Sequence, residues 1–367
     1  MVGSDRRRLR LFINGRFRQQ PMTGVQRYAT QIVLALDALA ARGALEVECQ
    51  LVLPPGAPPL PLRAIAQAHH GRLRGHAWEQ VDFAKVARGG VALSLAASGP
   101  VFQHRQVAVI HDAAIYRFPE NYSRSYVLLH RVVDRLLARR ATIATVSDFS
   151  RGELAHWLSV PADEIVVAPN SAEHLDAAPD EGVFAKLGLA EDQPFFLTIG
   201  SLTRNKNLRL AIEAMRHQPA ASRLVIVGQI DGGVFAAEIP HAPEQVILAG
   251  RLSDGEVTAL MRRARALVFP SLYEGFGIPP LEAFGNDCPV LASAIAPVRE
   301  VCGDAADFFD PHDASALAAR MHRALDDQDG AWRAERLARG RARLAHFSWE
   351  RSAATLATAC VGAARRT

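Results

Sequence analysis

Short apolar runs in this chain alternate with longer stretches in which apolar residues return at helical spacing. In the first half, Leu9–Ile13, Val47–Leu53, Val107–Ile110, Thr142–Val146 and Ile165–Ala168 predict strands. Between the first two, Val25, Tyr28, Ala29, Ile32, Leu36 and Leu39 mark one apolar face of a helix over 25–41. In the second half, Phe195–Ile199, Leu224–Val227, Val246–Ala249, Ala266–Phe269 and Val290–Ala292 repeat the strand signal. Alternation of this kind predicts an α/β chain whose parallel sheets carry helices on both faces. The polar, β-poor stretch from His174 to Gly188 marks a boundary, so the expected domains are 1–178 and 179–346. The tail, 347–367, holds Trp349, Leu356 and Val361 and predicts a final amphipathic helix. Pro54–Pro61 is rich in proline and glycine and predicts an irregular, mobile loop.

Length and composition sharpen this picture only a little. A chain of 367 residues is long for one core, which agrees with two domains. Hydrophobic content of 49% and charged content of 22% describe an ordinary globular protein. No apolar run reaches membrane-spanning length. Arg6, Arg7, Arg8 and Arg10 are not followed by the apolar core of a signal peptide, so the expected location is the cytoplasm. Cys49, Cys288, Cys302 and Cys360 show no paired spacing and predict neither a zinc site nor a disulfide framework. The net charge is only +4 and no basic-aromatic recognition motif occurs, so nucleic acid is not an expected partner. The charge is uneven: residues 1–180 carry 21 Lys+Arg against 16 Asp+Glu. Two readings of that excess stay open. One is weak contact with an anionic membrane surface or a phosphorylated acceptor; the other is an arginine-rich composition with no local purpose.

In open parallel sheets, ligands bind beyond the carboxyl ends of the strands, and the candidate motifs follow strands directly. The segment from Ser271 to Ala283 places Glu274, Gly275, Phe276, Gly277, Ile278, Pro279 and Pro280 ahead of Glu282. Glycines let backbone N–H groups approach a ligand, and prolines suit the first turn of a helix, whose positive end attracts anions. Two carboxylates flanking an anion-binding helix start suit a phosphorylated sugar. After Phe195–Ile199 comes Gly200-Ser201-Leu202-Thr203-Arg204-Asn205-Lys206-Asn207, in which Arg204 and Lys206 can reach a diphosphate. Gly250-Arg251-Leu252-Ser253 follows Val246–Ala249, with Arg251 equally readable as a surface residue. In the first half, Asn14 ends the first strand, Gly24 opens the predicted helix three residues before Arg27, and His111-Asp112 follows Val107–Ile110. Asp327 and Asp329 have the spacing of a Mg²⁺ clamp but lie in a polar turn far from any strand end. They are rejected as a metal site. No dinucleotide or P-loop fingerprint occurs.

The run from Glu274 to Glu282 resembles the signature of the family 4 retaining glycosyltransferases of the GT-B fold, and the resemblance extends from Asn14 to the Trp349 tail. It implies two Rossmann-like domains with parallel sheets facing a central cleft, and a C-terminal helix crossing back to the first domain. It implies a nucleotide-diphosphate sugar as co-substrate, bound mainly by the second domain, no other cofactor, no metal, and a saccharide acceptor on the first. Arg204 and Lys206 would stabilise the leaving diphosphate, Glu274 would hold sugar hydroxyls, and His111 would sit beside the transferred sugar; these four are the expected catalytic residues. Gly24, Gly200, Ser201, Gly228, Arg251, Leu252, Gly275, Phe276, Gly277, Ile278 and Glu282 would complete the donor site, with Glu282 on the ribose. Asn14, Arg27 and Asp112 would lie on the acceptor side. Many members carry arginine after the loop glycine. Ser201 stands there in this chain, with Arg204 as its substitute.

Gly24-x-x-Arg27-Tyr28 together with His111-Asp112 is most similar to bacterial mannosyltransferases of surface-polysaccharide assembly. That similarity implies GDP-mannose as donor and a lipid-linked saccharide acceptor, with the enzyme at the inner face of the plasma membrane. Another hexosyl donor such as UDP-glucose, a sugar-nucleotide epimerase and a non-catalytic sugar-nucleotide sensor are the alternatives.

Overall fold

The computed structural model describes residues 9–173, 177–200, 203–228 and 244–365. The chain divides into two compact units, one of Met1–Asn170 with Ser348–Thr367 and one of Ser171–Phe347. The cut therefore falls at 170/171, ahead of the polar stretch that suggested 178/179.

In the first unit, β1 (Leu9–Asn14), β2 (Val47–Leu53), β3 (Ala66–His69), β4 (Val91–Ser94), β5 (Gln106–Val109), β6 (Thr142–Thr145) and β7 (Val166–Val167) form one sheet. Its order is β3-β2-β1-β4-β5-β6-β7, with every pair parallel. Central strands of such a sheet are covered on both faces and read as continuous apolar runs. Leu11, Phe12 and Ile13 of β1 are buried accordingly. The Gly24–Ala41 helix buries Tyr28, Ala29, Ile32, Val33 and Leu36. The Trp349–Ala364 helix packs beside it and against β4 and β5. Its Ser352 hydroxyl donates to the Pro169 carbonyl at 2.7 Å, and Glu350 pairs with Arg42 at 2.7 Å.

Two strands of this sheet carry little sequence signal. β3 is Ala-Gln-Ala-His on the sheet edge, without a β-branched residue, and β4 is a four-residue run behind Gly89-Gly90. The Pro54–Pro61 loop has no regular structure but is held from several sides. Arg18 donates to Pro58 O, Gln19 to Pro55 O and Gln67 to Leu60 O, and His69 Nε2 lies 2.8 Å from Ala57 O.

The second unit holds β8 (Phe195–Ile199), β9 (Arg223–Val227), β10 (Val246–Gly250), β11 (Leu267–Phe269), β12 (Val290–Ser293) and β13 (Asp307–Phe309). Their order is β10-β9-β8-β11-β12-β13, again all parallel. Phe196, Ile226, Val268 and Leu291 from four strands pack with Met215, Leu317 and Met321 from the covering helices. In both sheets the chain winds outward in one direction, returns to the centre, and winds out in the other. The reversal lies between β1 and β4 in the first unit and between β8 and β11 in the second. A crevice opens at the carboxyl ends of the strands at such a point, so topology alone selects two places to look for chemistry. Among the described residues no helix is long and apolar enough to cross a membrane.

Candidate functional site

The second unit's reversal point is occupied by the two loops singled out above. The loop after β8 closes in a 3₁₀ turn, Arg204–Lys206, and Asn207 follows with φ +50°. Asparagine tolerates this left-handed conformation better than most residues. Its side-chain amide donates to Pro270 O at 3.1 Å and Pro311 O at 2.8 Å, and Leu272 N donates to Asn205 O at 2.7 Å. The loops after the adjacent strands β8 and β11 are thereby sewn together. Across that seam Lys206 Nζ lies 2.7 Å from Glu274 Oε1, and the same oxygen accepts the Ser271 hydroxyl at 2.6 Å. The ammonium also stands 5.8 Å from the Phe269 ring centre, a cation–π contact from the strand end. A fixed cation thus adjoins a fixed carboxylate where a ligand would enter.

Gly277 ends the loop at φ +94°, a left-handed conformation in which a side chain would be strained, although a Cβ there would make only ordinary contact with the Phe269 ring at 3.4 Å. The Ile278–Gly285 helix begins immediately after it. Pro279 and Pro280 carry no N–H, so this helix start offers fewer backbone donors than its position alone implies. Glu282 is buried in the same helix, whereas the Phe276 ring packs edge-on against Phe347 at 5.5 Å. Gly200 N and Gly228 N donate to Val227 O and Gly250 O, each at 2.9 Å, which aligns the ends of β8, β9 and β10. Arg204 and Arg251 are exposed, and Leu252 is half-buried. Ser253 and Glu256 form a reciprocal cap on the Asp254–Arg263 helix just beyond. Ser201 lies outside the described residues. Asp327 takes the N–H groups of Trp332 and Arg333, and Asp329 that of Ala331, so both carboxylates cap the Ala331–Leu344 helix.

The first unit's reversal point holds a buried polar network. Asn14, at the end of β1, donates to Glu79 Oε1 at 2.7 Å and to Ser94, at the end of β4, at 3.2 Å; its own oxygen accepts Arg16 N at 3.1 Å. Arg16 Nε lies 3.1 Å from the same Glu79 oxygen, and its Nη2 donates to Ser98 at 2.6 Å. Burial opposes the Glu79 charge, but His76, Arg16, Asn14 and Ser98 outweigh it and hold the carboxyl below its usual range. Asn14 is 4% exposed, so it positions Glu79 and Arg16 from within.

His111 ends β5. Its Nε2 is 2.9 Å from Leu95 O, an atom that only accepts, so Nε2 carries the proton and Nδ1 remains an acceptor. Burial pushes the imidazole down to about 4, against the pull of that carbonyl, so the ring is neutral near pH 7. Tyr28 meets it edge-on at 4.8 Å, donates to Ala168 O at 3.1 Å and touches Trp349 at 5.7 Å. The Tyr28 side chain therefore orients His111. Gly24 is the exposed first residue of its helix, Arg27 is half-buried, and Asp112 accepts Ala114 N at 2.8 Å. Arg16 and Glu79 carry no motif-like signal in the sequence and meet across 63 positions, whereas Ser271 and Asn207 lie in the two segments singled out above without a role assigned to them there.

Residues 180–341 match the family model of the glycosyl transferases group 1. The O-antigen chain mannosyltransferase B of Escherichia coli is 31% identical over 369 residues, covering 90% of this chain and 93% of that protein. The O-antigen chain mannosyltransferase RfbU of Salmonella typhimurium is 26% identical over 57% of each chain. Among solved structures, a sucrose-phosphate synthase from Thermosynechococcus elongatus superposes with a TM-score of 0.71 at 18% identity, covering 96% of this chain and 98% of that one. WaaG, a glycosyltransferase involved in lipopolysaccharide biosynthesis, gives 0.64 at 20% identity, with 97% and 98% covered. At these identities the structural likeness concerns the fold alone.

Proposed function

The chain belongs to the group 1 glycosyl transferases, and we propose that it moves mannose from GDP-mannose to a saccharide acceptor, with retention and without a metal, in surface-polysaccharide assembly. The observation that carries this reading is the similarity to O-antigen chain mannosyltransferase B over nearly the full length of both chains. The Lys206–Glu274 pair supports the chemistry. When the bond from the sugar to the diphosphate breaks, negative charge grows on the leaving group. A preorganised ammonium there lowers the barrier without reorganising at the moment of reaction. Glu274, held by Ser271, accepts hydroxyls of the sugar, and neutral His111 offers Nδ1 as an acceptor rather than a proton. Arg204 and the backbone of Gly275–Ile278 add to the diphosphate site, and Glu282 takes the ribose.

The acceptor is proposed to be lipid-linked, with the protein resting on an anionic membrane. The Arg124–Ala138 helix favours this. Its outer face exposes Leu128, Leu129 and Val132, and residues 124–140 carry Arg124, Arg131, Arg135, Arg139 and Arg140 with buried Asp134 as the one acid.

The test is a thermal-shift panel of GDP, UDP, ADP and their sugars, followed by product analysis with the donor that binds. GDP and GDP-mannose are expected to raise the melting temperature, and the product to carry an α-linked mannose formed equally well in EDTA. Stabilisation by UDP sugars alone would replace the donor. A C2-inverted free sugar would indicate an epimerase, and binding without turnover a sensor.

A further inference from the structure

A row of aromatic rings stands at the ligand-facing edge of the first unit and has no part in the chemistry above. Tyr122 stacks on Tyr126 at 5.5 Å and 12°, Tyr126 lies on His130 at 4.1 Å, and His130 meets His76 edge-on at 5.7 Å. Core stacks are buried, yet Tyr122 and Tyr126 are 38% and 44% exposed. Among the described residues neither phenol hydroxyl makes a hydrogen bond. The row's inner end joins the reversal point between β1 and β4: His76 Nδ1 is 3.4 Å from Glu79 Oε2, and Glu79 holds Arg16. Its outer end lies beside the strand end of β5, where the Asp112 charge, after burial, raises the Tyr122 phenol. Burial raises the Tyr126 phenol as well, against the opposing charge of Arg16.

We propose that Tyr122, Tyr126 and His130 form the platform of an acceptor subsite, which takes a neutral pyranose ring on its apolar face. The inference rests on the transferase reading above. Binding sites for small polar molecules combine aromatic surface with a few placed polar groups. The polar groups here have both signs. Asp112 and the buried Glu79 disfavour an anion and the buried Arg16 disfavours a cation through their charge, whereas an uncharged polyhydroxyl ring meets neither penalty and can donate to the half-buried Asp112 carboxylate. The exposed aromatic row supplies the stacking surface that none of the charged groups can.

The experiment measures binding of α-mannotriose by calorimetry in the presence of GDP, with GDP affinity as the control for an intact fold. Tyr126→Ala is expected to weaken mannotriose at least tenfold and Tyr122→Ala about threefold, with GDP affinity unchanged. Tyr126→Phe keeps the ring and is expected to bind within about twofold of the wild type. Wild-type affinity in Tyr126→Ala would overturn the platform, as would equal losses in the Phe and Ala variants. A wild-type protein that binds GDP-mannose but no mannotriose would also overturn it, leaving the transferase reading in place. Mannotriose binding without any response to GDP-mannose would sink the donor assignment and spare the platform.

Discussion

Glu274→Gln separates two accounts of the second unit's site. In sequence, Lys206 and Glu274 serve different parts of the donor; in the structure they share a 2.7 Å contact, with side chains only 21% and 11% exposed. Glu274 must therefore influence whatever Lys206 binds. A diphosphate that reaches Lys206 comes within about 6 Å of the Glu274 carboxylate. At an effective dielectric of roughly 40 that repulsion is about 1.4 kcal/mol, close to tenfold in affinity. Neutral glutamine removes it, so GDP is expected to bind about five- to tenfold more tightly. Turnover should fall on the order of a hundredfold or more, because an acceptor for the sugar hydroxyls is lost where the transition state forms. Lys206→Ala should lower both GDP affinity and turnover, since its contact strengthens as the leaving group gains charge. In the double variant the two turnover losses should fall well short of multiplying, as expected of residues that act as a unit. The assay is calorimetry with GDP beside turnover at saturating GDP-mannose for the wild type and three variants. Unchanged or weaker GDP binding by Glu274→Gln, or losses that simply multiply, would show that the pair is not a working unit.

Two further outcomes concern stability and location. His111 and His130 are each pushed down to about 4, first by burial. Their folded values lie below the unfolded value near 6.5, so their contribution is complete above that pH and is lost as pH falls towards 4. Asp134, raised to about 7 mainly by burial, acts in the opposite sense, its contribution being lost as pH rises from about 4 to 7. Asp134→Asn should therefore stabilise the protein at pH 8 by about 1–3 kcal/mol and have no effect near pH 4; a gain of equal size at both pH values in thermal unfolding would refute this. Leu128→Ser with Leu129→Ser should reduce sedimentation with anionic vesicles at least tenfold and leave GDP affinity intact; undiminished binding would show that the Arg124–Ala138 helix does not face the lipid.

Much of this molecule was legible because its central strands are buried on both faces. β8 falls on the predicted Phe195–Ile199 run, since a strand inside a parallel sheet has no polar side to interrupt its pattern, and β2 falls on Val47–Leu53 although Glu48 and Gln50 interrupt its first half. β3 and β13 escaped for the opposite reason: each is an edge strand with one neighbour, and Ala-Gln-Ala-His and Asp-Phe-Phe carry no such run. The site divides along a similar line. Glu274, Gly277 and Glu282 stand on one continuous segment, so their spacing alone marks them as a candidate unit. Arg16 and Glu79, or Asn207 and Pro311, are brought together by strand order, and neither partner's neighbours in sequence anticipate the other. The aromatic row shows the same limit along the Arg124–Ala138 helix. Tyr126 and His130 recur at helical spacing, with Tyr122 just ahead of the first turn, and would ordinarily be assigned to a buried face. The helix buries His130, Val133 and Leu137 and leaves Tyr126 in solvent, because its first turn runs past the edge of the packed core. Periodicity identifies which residues share a face; only the neighbouring elements decide whether that face meets the core or a ligand.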